Sequence, residues 1–155
     1  MRKIEKRERE TRRISEFKEK VLDMRRVVRV MAGGKRFKFR ATVAIGNEKG
    51  SIGIGVGKGI DVAQAVDKAK TNAKKNLIII KLKNQTIPYE VYAKFSAARV
   101  LIKPAKEGHG LKAGGAVRTV LLLVGIKDAT SKCLGGTKNK LTNAMATVEA
   151  LKKFK

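Results

Sequence analysis

From Lys20 to Met31 the chain mixes valines with Arg25, Arg26 and Arg29. Ala32-Gly33-Gly34-Lys35 follows, so the pattern predicts a strand over 20–31 closed by a turn. The next stretch alternates at period two. Phe37, Phe39, Ala41, Val43 and Ile45 share one face, and Arg36, Lys38 and Arg40 share the other, which predicts a second strand with a cationic row. Gly46-Asn47-Glu48-Lys49-Gly50 is a further turn signal. A third strand then carries Ile52, Ile54 and Val56 on its core face and Gly53, Gly55 and Gly57 opposite. At Asp61, a candidate N-cap, the period changes to that of a helix. Val62, Ala65, Val66, Ala69, Ala73 and Leu77 form a stripe of mostly small side chains that lets this helix lie close against the sheet. Lys68, Lys70, Lys74 and Lys75 occupy its outer side.

Ile78–Leu82 reads as a strand leaving this unit, and the pattern restarts near Lys83-Asn84-Gln85, where a domain boundary is expected. Residues 86–95 and 98–103 resemble a strand pair, and Pro104–Gly115 a glycine-rich loop. A helix with Val117, Val120, Leu121 and Val124 on one face is closed by Gly125. A short segment, Ile126–Leu134, leads to a last helix striped by Leu141, Ala144, Met145, Val148 and Leu151. The expected organisation is an α+β chain with a charged tail at 1–16, a three-strand-and-helix domain at 17–80 and a second α+β domain at 84–155. In the tail, Glu5–Arg9 and Glu8–Arg12 are spaced for helix ion pairs, as is Glu16–Lys20 across its end. Each pair contributes only about 0.2–0.5 kcal/mol, so the tail is either solvated or an arm that orders on RNA.

Charge narrows the function. The 155 residues carry 37 Lys and Arg against 13 Asp and Glu, net +24. The excess is spread along the chain: 16 basic against 6 acidic residues in 1–40, and 21 against 7 in the remainder. A body this cationic repels itself until a polyanion neutralises it. About eight phosphate contacts would give a log–log salt slope near −7. Nucleic acid is the natural partner, because a membrane would need a lipid-facing apolar helix that the pattern lacks. With no long apolar run, and with five glutamates among the N-terminal arginines, a cytosolic protein is expected.

Chemistry is scarce. Cys133 and His109 are each the only residue of their kind, so neither a disulfide framework nor a thiolate or imidazole metal site is expected, and no cofactor. Nucleotide motifs fail at specific positions. A phosphate-binding loop ending in Gly57-Lys58 would need glycine at Ile52 and Ser or Thr at Gly59, and the dinucleotide fingerprint meets Lys58 where its third glycine belongs. Glu90, Glu107 and Asp128 are isolated carboxylates, and no catalytic triad appears. The strand glycines make room either for a neighbouring helix or for RNA. Likewise, Glu107–Gly115 is either an anion site at a helix start or a protein contact surface. Phe37 and Phe39 share the parity of Val43 and Ile45, so core packing is expected of them ahead of base stacking. Shape and phosphate recognition is then the expected mode.

The residue order resembles one family, the bacterial-type small-subunit ribosomal protein S-five. The likeness is carried by Gly33-Gly34-Lys35-Arg36-Phe37-x-Phe39, Ala41-x-Val43, Gly46-Asn47, and Gly50-x-Ile52-Gly53-x-Gly55-x-Gly57-Lys58. It continues through Lys74-Lys75-Asn76-Leu77, Thr86-Ile87-Pro88, Arg99-Val100, Lys103-Pro104-Ala105 and Glu107-Gly108-x-Gly110. Ala113-Gly114-Gly115-x-Val117-Arg118 and Gly125-Ile126-Lys127-Asp128 complete it. The resemblance implies a double-stranded-RNA-binding-like β-β-β-α domain followed by a C-terminal α+β domain with a left-handed βαβ crossover. It also implies a structural ribosomal role without catalysis, in the cytoplasm or an organelle. The implied partners are small-subunit rRNA, ribosomal proteins S-four and S-eight, and mRNA where it enters the subunit, with effects on decoding accuracy.

Taken with the cationic rows, the resemblance implies an rRNA-contacting set of Arg25, Arg26, Arg29, Gly33, Gly34, Lys35, Arg36, Lys38, Arg40, Lys49, Gly53, Gly55, Gly57 and Lys58. The implied S-four side is Gly108, Gly110, Gly114, Gly115 and Arg118. The chain departs from the family at Ala32, at Lys112 and over 138–145. A free-standing double-stranded-RNA binder or RNA chaperone is the alternative function.

Overall fold

The structure, a computed structural model, describes residues 17–80 and 85–154. The tail predicted at 1–16 and the segment 81–84 around the expected boundary lie outside them.

The Val- and Arg-rich stretch forms β1 (Lys18–Met31), which pairs antiparallel with β2 (Gly34–Gly46), and β2 pairs antiparallel with β3 (Ser51–Gly59). Helix α1 (Val62–Lys75) and the two-residue β4 (Ile78–Ile79) follow, giving a sheet of order β1-β2-β3-β4. Asp61 stands at the extended position before α1 but makes no side-chain cap bond. The second sheet has the order β5-β6-β8-β7, from β5 (Val91–Phe95), β6 (Ala98–Pro104), β7 (Leu111–Lys112) and β8 (Ala129–Cys133). Among the described strands only β7 and β8 run parallel, joined through α2 (Gly115–Val124) as a βαβ unit. Helix α3 (Lys140–Lys152) closes the chain. The architecture is thus the expected two-domain α+β, three strands and a helix followed by a βαβ fold.

Three elements differ from the sequence pattern. Residues 86–90 are not part of β5. The supposed connector Ile126–Leu134 contains β8, which lies between β6 and β7 in the sheet. Its inward residues are Ala129 and Ser131, too small and polar to signal a buried strand. The glycine-rich loop also contributes β7.

Both faces of the first sheet are covered at its lower end. One face holds Ala41, Val43 and Ile45 against Ala65, Ala69 and Ala73 of α1. On the other, Ala44, Ile52 and Ile54 join a larger core with Val100, Val120, Leu121 and Ile126 of the C-terminal half. A β-bulge between Val21 and Asp23 sends Leu22 into that second core.

The β2–β3 turn completes the join by capping α2. The N–H groups of Glu48 and Gly50 donate to the carbonyls of Leu123 and Val124, both at 2.9 Å. These are carbonyls that a helix C-terminus leaves without intrahelical partners. Gly125 ends α2 at φ +102, and a Cβ there would overlap the Glu48 carbonyl. Lys140 reaches Asp23 at 3.8 Å, a further link between the halves.

Candidate nucleic-acid interface

Past the covered end, β1 and β2 continue as a two-stranded ribbon to an exposed turn at Ala32-Gly33. The register decides which cations meet. Arg25 stands opposite Arg40, Val27 opposite Lys38, and Arg29 opposite Arg36. Arg40 is in turn opposite Lys58 of β3. Strand alternation puts all six cations on the side of the sheet that, lower down, carries Thr42 and Ala44. Arg29, Arg36, Lys38 and Lys58 are exposed, and Arg40 is half-buried. Among the described residues one acid answers this row: Asp23 accepts a 2.7 Å hydrogen bond from Arg25 Nε. Like charges directly opposite in a sheet are destabilising, and here two arginine pairs face each other.

The remaining members of the implied set divide into three groups. Gly33, Gly34 and Lys35 are exposed at or beside the turn, with Gly34 at φ +129. Arg26 lies on the reverse face of the ribbon, its guanidinium carbon 4.7 Å from the centroid of the Phe37 ring. Lys49 sits in the β2–β3 turn, at the opposite end of the strands from Gly33, where Asn47 Oδ1 accepts from its backbone N–H. The structure therefore does not bring Lys49 to the cationic face.

Gly53, Gly55 and Gly57 are a correction. They are buried beneath α1 and offer no surface to RNA. A Cβ on Gly55 would overlap the Ala69 carbonyl and the Ala73 N–H, and one on Gly57 the Ala65 carbonyl and Ala69 N–H. The glycine row is what lets an alanine-faced helix touch the strand backbone. Phe37 is a second correction. Expected in the core, it is 52% exposed, and only Phe39 packs partly against the α1 core.

On the C-terminal half, Gly108, Gly110, Gly114, Gly115 and Arg118 are all exposed. Gly108 and Gly110 take positive φ, and the Gly110 N–H donates to Asp128 Oδ1 at 2.8 Å. They form one loop leading into the first turn of α2. Asp128 thus works as a loop fastener, and Glu90 pairs with Lys103 at 3.2 Å.

Sequence reading missed Asp23 and the Arg26–Phe37 pair. The i,i+2 spacing of Asp23 and Arg25 was the available signal for the first. Nothing in sequence order marked the second, which depends on cross-strand register.

Burial pushes the Cys133 thiol above its ordinary pKa, with Lys132 opposing, which disfavours the nucleophilic thiolate. Among the described residues no group of three or more His, Cys, Asp and Glu could hold a metal, and no helix is long and apolar enough to cross a membrane.

A β-β-β-α unit with a cationic ribbon projecting from its sheet has the make-up of an RNA-binding protein. Two family models divide the chain: that of "Ribosomal protein S5, N-terminal domain" matches residues 17–81 and that of "Ribosomal protein S5, C-terminal domain" matches 93–155. "Small ribosomal subunit protein uS5" of Thermotoga neapolitana is 46% identical over 139 residues, covering 90% of this chain and 78% of that protein. The protein of the same name from Synechococcus elongatus is 49% identical over 142 residues, 91% of this chain and 78% of that one. "Small ribosomal subunit protein uS5c" of Guillardia theta is 49% identical over 138 residues, 88% and 81%. The chain belongs to the ribosomal protein S5 family, whose members are structural constituents of the ribosome and not enzymes.

Proposed function

We propose that the cationic face of β1 and β2, continued by Lys58, docks on phosphates of small-subunit rRNA. The Gly108–Arg118 side of the C-terminal half then faces ribosomal protein S-four, with S-eight and the path of incoming mRNA close by. Held between rRNA and these neighbours, the protein fixes their relative positions, and through them contributes to decoding accuracy and to mRNA entering the subunit.

One observation carries the reading: Arg29 faces Arg36 and Arg25 faces Arg40 across the ladder. Of these four, only Arg25 has a carboxylate partner among the described residues. Such pairing weakens the free ribbon, and phosphate oxygens placed between the guanidinium groups reverse the sign of the effect.

The test is rebinding to small-subunit particles at a series of salt concentrations. Arg36→Ala with Lys38→Ala is expected to weaken binding and flatten the log–log salt slope by about 2. An unchanged slope would place both cations in solvent. The wild-type protein should also sediment with small subunits in high salt; a protein left at the top of the gradient contradicts the reading.

A further inference from the structure

The ribbon has a second face that phosphate binding leaves unused. Alternation places Met24, Arg26, Val28 and Val30 of β1 on it together with Lys35, Phe37 and Phe39 of β2. Helix α1 covers this side of the sheet only as far as Gly59, which is paired with Phe39. Beyond that point Phe37 is 52% exposed, Val28 46% and Val30 68%. The Arg26 guanidinium lies over the ring of Phe37, 4.7 Å from its centroid.

An exposed aromatic ring with a guanidinium stacked over it and aliphatic side chains around it matches an unstacked nucleobase, which can extend the stack on the arginine plane or on the free side of the ring. Such a base stacks on aromatic rings and on arginine planes, and it does so whatever its identity because every base has a π face. Charge separates this occupant from a protein segment carrying cations: the exposed stretch holds Arg26 and Lys35 and no carboxylate. Continuity argues the same way. The ribbon is a single sheet thick, so a strand whose phosphates lie on the cationic face needs only to pass the Gly33 turn to reach the reverse face.

We infer that the Phe37–Arg26 stack receives an unpaired, unstacked base of the RNA whose phosphates occupy the opposite face. The inference rests on the rRNA-binding reading above. It adds a contact that grips by stacking and therefore responds weakly to salt.

Short-wave ultraviolet irradiation of intact small subunits carrying the full chain tests it by zero-length crosslinking. The expected product is a peptide containing Phe37 joined to an rRNA nucleotide, absent in Phe37→Leu. In rebinding to particles stripped of this protein, Phe37→Leu should lower affinity about tenfold, the scale of one lost base–aromatic stack, with the salt slope unchanged. Phe37→Tyr should restore both crosslink and affinity. A Phe37 crosslink to a neighbouring protein, no nucleotide crosslink, or a Leu variant that rebinds like wild type overturns the inference. Failure of the rRNA reading itself shows elsewhere, as an unchanged slope for the Arg36 and Lys38 variant.

Discussion

Strand β2 behaves as two different strands joined end to end. From Ala41 to Gly46 every residue is buried; from Gly34 to Lys38 every residue is exposed. The alternation of side chains is the same through both stretches. What differs is cover. The lower stretch lies between α1 on one face and the C-terminal half on the other, while the ribbon runs past both. Period two therefore reports that a segment is a strand, and it is silent on how many layers will close over it. The division separates two tasks. Stability collects where apolar surface is removed from water, which frees the ribbon to carry like charges side by side and an uncovered aromatic ring.

Glycine substitutions at the two ends probe this contrast most strongly. Gly55→Ala drives a methyl group into the backbone of α1 at Ala69 and Ala73, where no flexible side chain can yield. We expect a loss of about 3 kcal/mol or more in chemical denaturation of the free protein. Gly33→Ala, with nothing within 4 Å of the added methyl, should change stability by no more than about 0.5 kcal/mol. Similar losses at both sites would erase the distinction between covered end and ribbon.

A charge substitution should move stability and binding in opposite directions. Arg29→Thr removes one of two facing arginines and supplies a β-branched residue. The free protein should gain about 0.2–1 kcal/mol, while rebinding to small-subunit particles weakens. If stability falls instead, the arginine pair is not repulsive and the argument for phosphate contact loses its support.

The smallest effect belongs to the covered end. Lys70 on α1 makes a 2.8 Å ion pair with Glu19 on β1. The hydrogen bond from Lys70 to Glu19 raises the lysine pKa above its ordinary 10.5, partly opposed by desolvation. A raised folded-state pKa stabilises below the unfolded value, and the gain disappears as pH climbs through the folded value. Both groups are partly exposed, so the contribution should not exceed about 1 kcal/mol. Denaturation of wild type and Lys70→Met should differ by that amount at neutral pH and converge above pH 10.5. A gap that persists into that range would assign the effect to packing of the lysine stem.

Particular residues show how far the sequence could be read. The strands over 20–31 and 36–45, the α1 stripe from Ala65 to Leu77 and the Gly125 stop all follow from local rules and stand as predicted, whereas Val62, expected in that stripe, is exposed in the first turn of α1. Segment Ala129–Cys133 did not signal itself, because Ala129 and Ser131 are small enough to be buried without looking apolar. The cations Arg36, Lys38 and Arg40 were legible as one row since a single strand's parity places them together. Their confrontation with Arg25 and Arg29 was not legible, because it depends on the bulge at Leu22 and the register beyond it. Phe37 was misread for the reason that separates the two ends of β2: parity with Val43 and Ile45 assigned it a face, and that face is uncovered where it stands.

By itself the sequence determined the strands and helix of the first domain, the two later helices, the excess of positive charge and the family, since these depend on local periodicity, composition and residue order. Only the tertiary structure decided that the Gly53, Gly55 and Gly57 row belongs to α1. The same holds for the ribbon's projection beyond both cores and its two chemically distinct faces. Those outcomes turn on which surfaces exclude water together, a property of elements distant in the chain that local pattern does not encode.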